Sequence, residues 1–153
     1  MMDTQIIMLG TGNAGVTRCY NTCFAIRTAE NVLLVDAGGG NGILVQLEKA
    51  GIAIERIHDM FVTHAHTYHI LGAVWVIRMV AQQMQSGKYA GGFRVYGHDK
   101  VLQVLDWICR MTLPKKIVQY LGNGIELCEV KDGERSEERR VVKECRSRWS
   151  PYH

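Results

Sequence analysis

The sequence contains no apolar run approaching the roughly 18 residues a transmembrane helix needs, so no membrane span is expected. Its opening, MMDTQIIMLG, lacks a positive segment and a signal-length apolar stretch, so the reading is cytoplasmic. It has no C-x-x-C pair. Its five cysteines, Cys19, Cys23, Cys109, Cys128 and Cys145, are an odd number. Without a secretory signal they read as free thiols, with Cys19-x-x-x-Cys23 alone a poor zinc motif. It also lacks a strong charge of either sign. Eighteen Lys and Arg against fifteen Asp and Glu leave +3, which permits a nucleic-acid partner without arguing for one.

What is present suits one globular domain: 153 residues, 47% hydrophobic and 22% charged. Short apolar or alternating runs predict strands at Gln5 to Leu9, Thr22 to Thr28, Val32 to Val35, Ile57 to Thr63 and Phe93 to Tyr96. Weaker strand signals lie at Lys116 to Leu121 and Glu126 to Val130. Helical spacing predicts a helix from Asn41, as N-cap, to Gly51, a long one over 70–86 closed by Gly87, and one from Val101 to Cys109. Three strands followed by alternating helices and strands make an α/β plan with a mixed sheet. Residues 131–153 differ: seven Lys and Arg and five Asp and Glu crowd into a stretch with no sustained period. The division is therefore a domain over 1–130 and a charged tail over 131–153, expected to be mobile.

Gly10-Thr-Gly12-Asn-Ala-Gly15 follows a strand, and Asp36 lies 21 residues later. That spacing matches the dinucleotide fingerprint, which would make a nucleotide-binding module of Gly10, Gly12 and Gly15. The fingerprint also requires a helix starting at the third glycine, whose amides hold the pyrophosphate. Val16 to Cys23 carries no helical stripe, and period-2 alternation follows. A tight turn between strands is the better reading.

Val62-Thr63-His64-Ala65-His66-Thr67-Tyr68-His69 holds three of the six histidines, between an apolar strand and a helix. An extended chain from 64 to 66 puts both imidazoles on one face, and His69 at the helix start can turn back toward them. Converging neutral imidazoles suit zinc. The place, beyond the carboxyl end of a strand, is where open α/β sheets bind ligands. A hydrogen-bonded surface cluster is the plainer alternative. His58 and His98 lie outside the motif and read as ordinary.

T-H-A-H-T-x-H-x-x-G after an apolar strand, with V-D-A-G-G-G upstream, resembles the metallo-β-lactamase superfamily. The L-G-T-G opening and the Val95-Tyr96-Gly97 strand end look most like its ribonuclease Z-like branch. The resemblance spans about residues 5–130 and implies an αββα sandwich, here only its N-terminal half. It implies a zinc-dependent hydrolase with one or two metals, acting on RNA or other phosphodiesters. By position, His64 and His66 resemble ligands of one metal and His69 a ligand of the second. Asp36 resembles the acid that supports the ligands from behind.

Two departures count against full activity. Tyr68 stands where the family has an Asp metal ligand, and a phenol ordinarily ionises only near pH 10. The family's later ligands have no counterpart, since His153 lies in a tail unlike the family. The change of character after about residue 135 reads as truncation or a frameshift. The expectation is therefore a zinc hydrolase of uncertain competence, with a non-catalytic remnant and the nucleotide-binding module as alternatives. An open inner sheet face, including some of Phe24, Ile26, Leu34, Phe61 and Val95, would favour self-association.

Overall fold

The computed structural model describes residues 3–133. The expected structure of the tail therefore falls, for residues 134–153 and with it Cys145 and His153, outside the described residues. Six strands form one sheet in sequence order: β1 (Gln5–Gly10), β2 (Cys23–Arg27), β3 (Val32–Val35), β4 (Ile57–Phe61), β5 (Phe93–Gly97) and β6 (Ile125–Glu129). The first three pair antiparallel and the rest parallel. This is the mixed sheet expected from three leading strands and later βαβ units.

Three helices make the parallel crossovers: α1 (Gly42–Lys49), α2 (Thr67–Gln85) and α3 (Asp99–Thr112). Strands β3 to β6 advance in one direction across the sheet. Right-handed crossovers then place all three helices on the same face. Contacts of α2 with both α1 and α3 agree with this layer. Beneath it the core is Leu34, Met60, Phe93, Val95 and Ile125 from the sheet, with Val62 just past β4, against Ile70, Ile77, Leu102 and Leu105 from the helices. Each such side chain contributes roughly 1.5–3 kcal/mol by leaving water.

The strand register defines the opposite face. Met8, Phe24, Val35 and Phe61 are aligned partners across β1 to β4, as are Ile6, Ile26 and Leu33 across β1 to β3. The β2 to β4 members are only half-buried, while Ile6 and Met8 are 68% and 53% exposed. The expected open-face set is thus corrected at two positions: Leu34 and Val95 point to the helices and are fully buried. Period-2 alternation separates two faces but does not say which one the helices cover.

The expected strand over Lys116 to Leu121 is a short helix instead, α4 (Lys115–Val118), entered from Pro114. Proline presets φ for a helix start and cannot join a sheet ladder on its N–H side. Asn41 precedes α1 but makes no side-chain cap bond. The element that follows Gly15 is strand β2, not a helix. Gly10 and Gly12 let the chain fold tightly on itself, because a Cβ at Gly10 would meet the Asn21 carbonyl and one at Gly12 the Val16 side chain. The helix that would cradle a pyrophosphate is replaced by this turn, which removes the nucleotide-binding reading. Among the described residues, no helix is long and apolar enough to cross a membrane.

Candidate functional site

β3 ends at Val35, and the chain leaves it through Asp36, whose φ of 56° lies in the left-handed region. Asp is among the few residues that tolerate this conformation. The turn carries the buried Asp36 carboxylate to the end of the neighbouring β4. There it accepts two hydrogen bonds from Thr63. The backbone N–H of Thr63 donates to Oδ1 at 2.8 Å and its hydroxyl donates to Oδ2 at 2.8 Å. The Asp36 N–H in turn donates to the Phe61 carbonyl at 2.8 Å. The loop after β3 and the loop after β4 are thereby fastened together.

The loop at 36–40 is also fastened to α2. The Ala37 N–H donates to the His69 carbonyl at 3.2 Å, and the Gly72 N–H to the Gly38 carbonyl at 2.8 Å. This close approach explains the glycine in the H-x-x-G part of the motif. A Cβ at Gly72 would collide with the Ala37 carbonyl oxygen, closer than any side chain can be accommodated. From the other side, the Tyr20 hydroxyl donates to the Ala37 carbonyl at 2.6 Å, with the Gly40 carbonyl 2.9 Å away. Desolvation of Tyr20 raises its pKa to about 12, so it remains a donor.

On this platform the rings of the three motif histidines lie near one another. The His64 and His66 rings meet edge-on at a centroid distance of 4.5 Å, and His64 and His69 lie 4.2 Å apart. His66 is the extended residue that begins α2 and is exposed, whereas His69, one turn in, is buried. The His69 Nδ1 lies 3.0 Å from Asp36 Oδ2, a close electrostatic contact that lacks the alignment of a hydrogen bond. His64 Nδ1 is 2.8 Å from the Thr63 hydroxyl oxygen. Desolvation, then the neighbouring imidazoles of His69 and His66, lower the His64 pKa, which favours the neutral, electron-pair-donating ring.

Tyr68 packs its ring on His69 at 4.2 Å and also flanks His64 and His66. It brings a phenol where a carboxylate would supply charge. What gathers here is therefore three imidazoles and one carboxylate already held by Thr63. Among the described residues, no group of three or more His, Cys, Asp or Glu is placed to hold a metal ion. The described residues do not make up a complete metal site.

The other sequence candidates are elsewhere. His58 sits at the far end of β4, with Nδ1 3.0 Å from the Tyr89 hydroxyl. His98 begins α3 beside Asp99, close enough to His64 to influence its charge. Cys19 is exposed and Cys23 buried, and desolvation raises the Cys23 thiol pKa to about 12. Reading the sequence missed Thr63. The available signal was its position, a hydroxyl residue between an apolar strand and the first histidine. A hollow of about 330 Å³ lies between α2 and α3, bordered by Gly39, Trp75 and Arg78. It contains none of the motif histidines and is not the candidate site.

Known proteins share this fold. A family described as anti-Pycsar protein Apyc1 matches residues 4–110. Ribonuclease Z of Pyrococcus furiosus is 31% identical over 117 residues, which are 62% of this chain and 38% of that protein. Ribonuclease Z of Pyrococcus abyssi is 31% identical over 102 residues, 66% of this chain and 31% of that protein. The chain thus spans well under half the length of these relatives. Among solved structures, the short form of human tRNase Z superposes with a TM-score of 0.65 at 20% identity, over 84% of this chain and 44% of that one. The metallo-beta-lactamase fold protein YhfI from Bacillus subtilis gives 0.63 at 16%, over 86% of this chain and 48% of that one. A diphosphatase of the PhnP family gives 0.62 at 18%, over 86% and 52%. At these identities the structures establish the fold, and the fold seen here is the N-terminal half of theirs. The chain belongs to the family described as anti-Pycsar protein Apyc1, in the ribonuclease Z-like branch of the metallo-β-lactamase superfamily.

Proposed function

We propose that this chain carries the imidazole part of a zinc centre in a phosphodiester hydrolase, with RNA or a smaller phosphodiester as substrate. The observation that carries the reading is the contact among His64, His66 and His69, with Asp36 behind them. Neutral imidazoles are good zinc donors, and acid support behind ligand histidines is usual at such centres. The substrate class rests on relatives named ribonuclease Z and on neighbours named tRNase Z and diphosphatase. The unit that carries the site is residues 1–130, and its cellular place is the cytoplasm.

The test is elemental analysis of the purified chain together with hydrolysis of a simple phosphodiester, with Tyr68→Asp as the partner variant. The expected result is weakly held zinc, lost on mild chelation, with more zinc retained by Tyr68→Asp. Two tightly held zinc ions in the unaltered chain would show that Tyr68 is no defect. A second reading, a non-catalytic member of the fold, draws on the absence of a complete donor group among the described residues. Zinc binding without any hydrolysis, in both the unaltered chain and the Tyr68→Asp variant, would favour it.

Self-association through the apolar face bearing Met8, Phe24, Val35 and Phe61 belongs to the same proposal. Apolar patches of this kind are uncommon on monomers. A single monomer peak in light scattering, without binding of a hydrophobic dye, would remove it.

A further inference from the structure

We propose that Thr63 is a positioning residue that fixes the tautomer and orientation of His64. The argument rests on counting protons. A threonine hydroxyl has one proton to donate and two lone pairs. In Thr63 that hydroxyl lies 2.8 Å from Asp36 Oδ2 and 2.8 Å from His64 Nδ1. If its proton pointed to His64, an oxygen lone pair would face a carboxylate oxygen at 2.8 Å, two acceptors in repulsive contact. A carboxylate is also the stronger acceptor. The proton therefore goes to Asp36.

What the hydroxyl offers His64 is then a lone pair, so Nδ1 must carry the hydrogen. In a neutral imidazole the other nitrogen is then a bare acceptor. Thr63 thus turns the negative charge of Asp36 into an instruction to His64: hydrogen on Nδ1, electron pair on Nε2. The hydroxyl itself is held by a second contact, because the Thr63 N–H is anchored on Asp36 Oδ1 at 2.8 Å. The same Asp36 Oδ2 lies 3.0 Å from His69 Nδ1. One carboxylate oxygen therefore faces both imidazoles, His69 directly and His64 through Thr63. The tautomer assignment follows from this structure alone, while its use in presenting Nε2 to a metal rests on the function proposed above.

The experiment is a two-bond ¹H–¹⁵N correlation spectrum of the metal-free 153-residue chain, at a pH where His64 is neutral, with its signals assigned through His64→Gln. The expected pattern for His64 is hydrogen on Nδ1. Thr63→Val keeps the shape and removes the hydroxyl, and should shift His64 toward the Nε2–H form. Thr63→Ser should restore the original pattern. An Nε2–H pattern in the unaltered chain overturns the proposal outright, whether or not the Val variant folds. So does an unchanged pattern in a folded Thr63→Val. Zinc titration separates this claim from the proposed function. Loss of the hydroxyl should weaken zinc binding about tenfold, with Ser near the parent value. A chain that binds no zinc, yet shows the Nδ1–H pattern, contradicts the proposed function and leaves the positioning role standing.

Discussion

Strand β4 has a polar cluster at each end, and the two are built to opposite rules. At the amino end, the Asn31 side-chain amide donates to Asp59 at 2.6 Å. Arg94 lies against the same carboxylate, with Nε 2.8 Å from Oδ1. The Asn31 side-chain oxygen accepts the N–H groups of Val32 and His58. The Tyr89 hydroxyl donates to the Ile57 carbonyl at 2.6 Å and contacts His58. Acid meets base, and the cluster fastens β3, β4 and β5 together. At the carboxyl end, Asp36 forms no ion pair with an Arg or Lys among the described residues. It is held by Thr63 and faces His69, and His64 and His66 stand beyond it with no carboxylate ion pair among the described residues. Both clusters contain a buried acid and at least one histidine. The difference is that the acid at the amino end is neutralised by a base within the fold, while the acid at the carboxyl end is anchored by Thr63 beside a group of imidazoles.

The comparison can be broken first at its base. Gly72→Ala drives a methyl group into the Ala37 carbonyl. It should cost about 3 kcal/mol and separate α2 from the 36–40 loop, seen as a lower midpoint in chemical denaturation. Asp59→Ala removes the carboxylate that Asn31 and Arg94 share at the amino end. The expected loss is about 2 kcal/mol, below that of a fully buried pair because Arg94 keeps some contact with water. Zinc binding should be unaffected. Tyr20→Phe removes the hydroxyl that ties the 36–40 loop from outside and should cost about 1 kcal/mol. The double variant His64→Ala, His66→Ala should change stability by no more than about 0.5 kcal/mol while abolishing zinc binding. A large stability loss in this double variant would make the open cluster structural as well, and the contrast between the two ends of β4 would disappear.

Much of this was legible in the sequence because local patterns carry it. Val32 to Val35 is a strand as read, and the long helical stripe became α2, beginning three residues earlier than its apolar pattern. The three histidines were readable as a group because extended backbone at 64–66 followed by a helix start leaves few other arrangements. What could not be read depended on pairing between distant segments. Leu34 and Phe61 both belong to apolar strands, and only the side taken by the crossover helices decides that Leu34 is core and Phe61 is not. The role of Gly72 required knowing that the loop after Asp36 crosses α2 at that point. Thr63 required the turn at Asp36, where a left-handed residue brings a carboxylate from one strand to the end of the next. Apolar spacing at 116–121 favoured a strand, and Pro114 with the Gly122 turn overrode it.

The central proposal is that the carboxyl-end cluster supplies metal donors held by Asp36 and Thr63. Calorimetric titration of the chelator-treated 153-residue chain with zinc, alongside its His64→Ala, His66→Ala variant, tests this most directly. The account predicts weak binding of at most one zinc in the unaltered chain, reversed by mild chelation, and none in the variant. No binding to either protein, or equal binding to both, would contradict it.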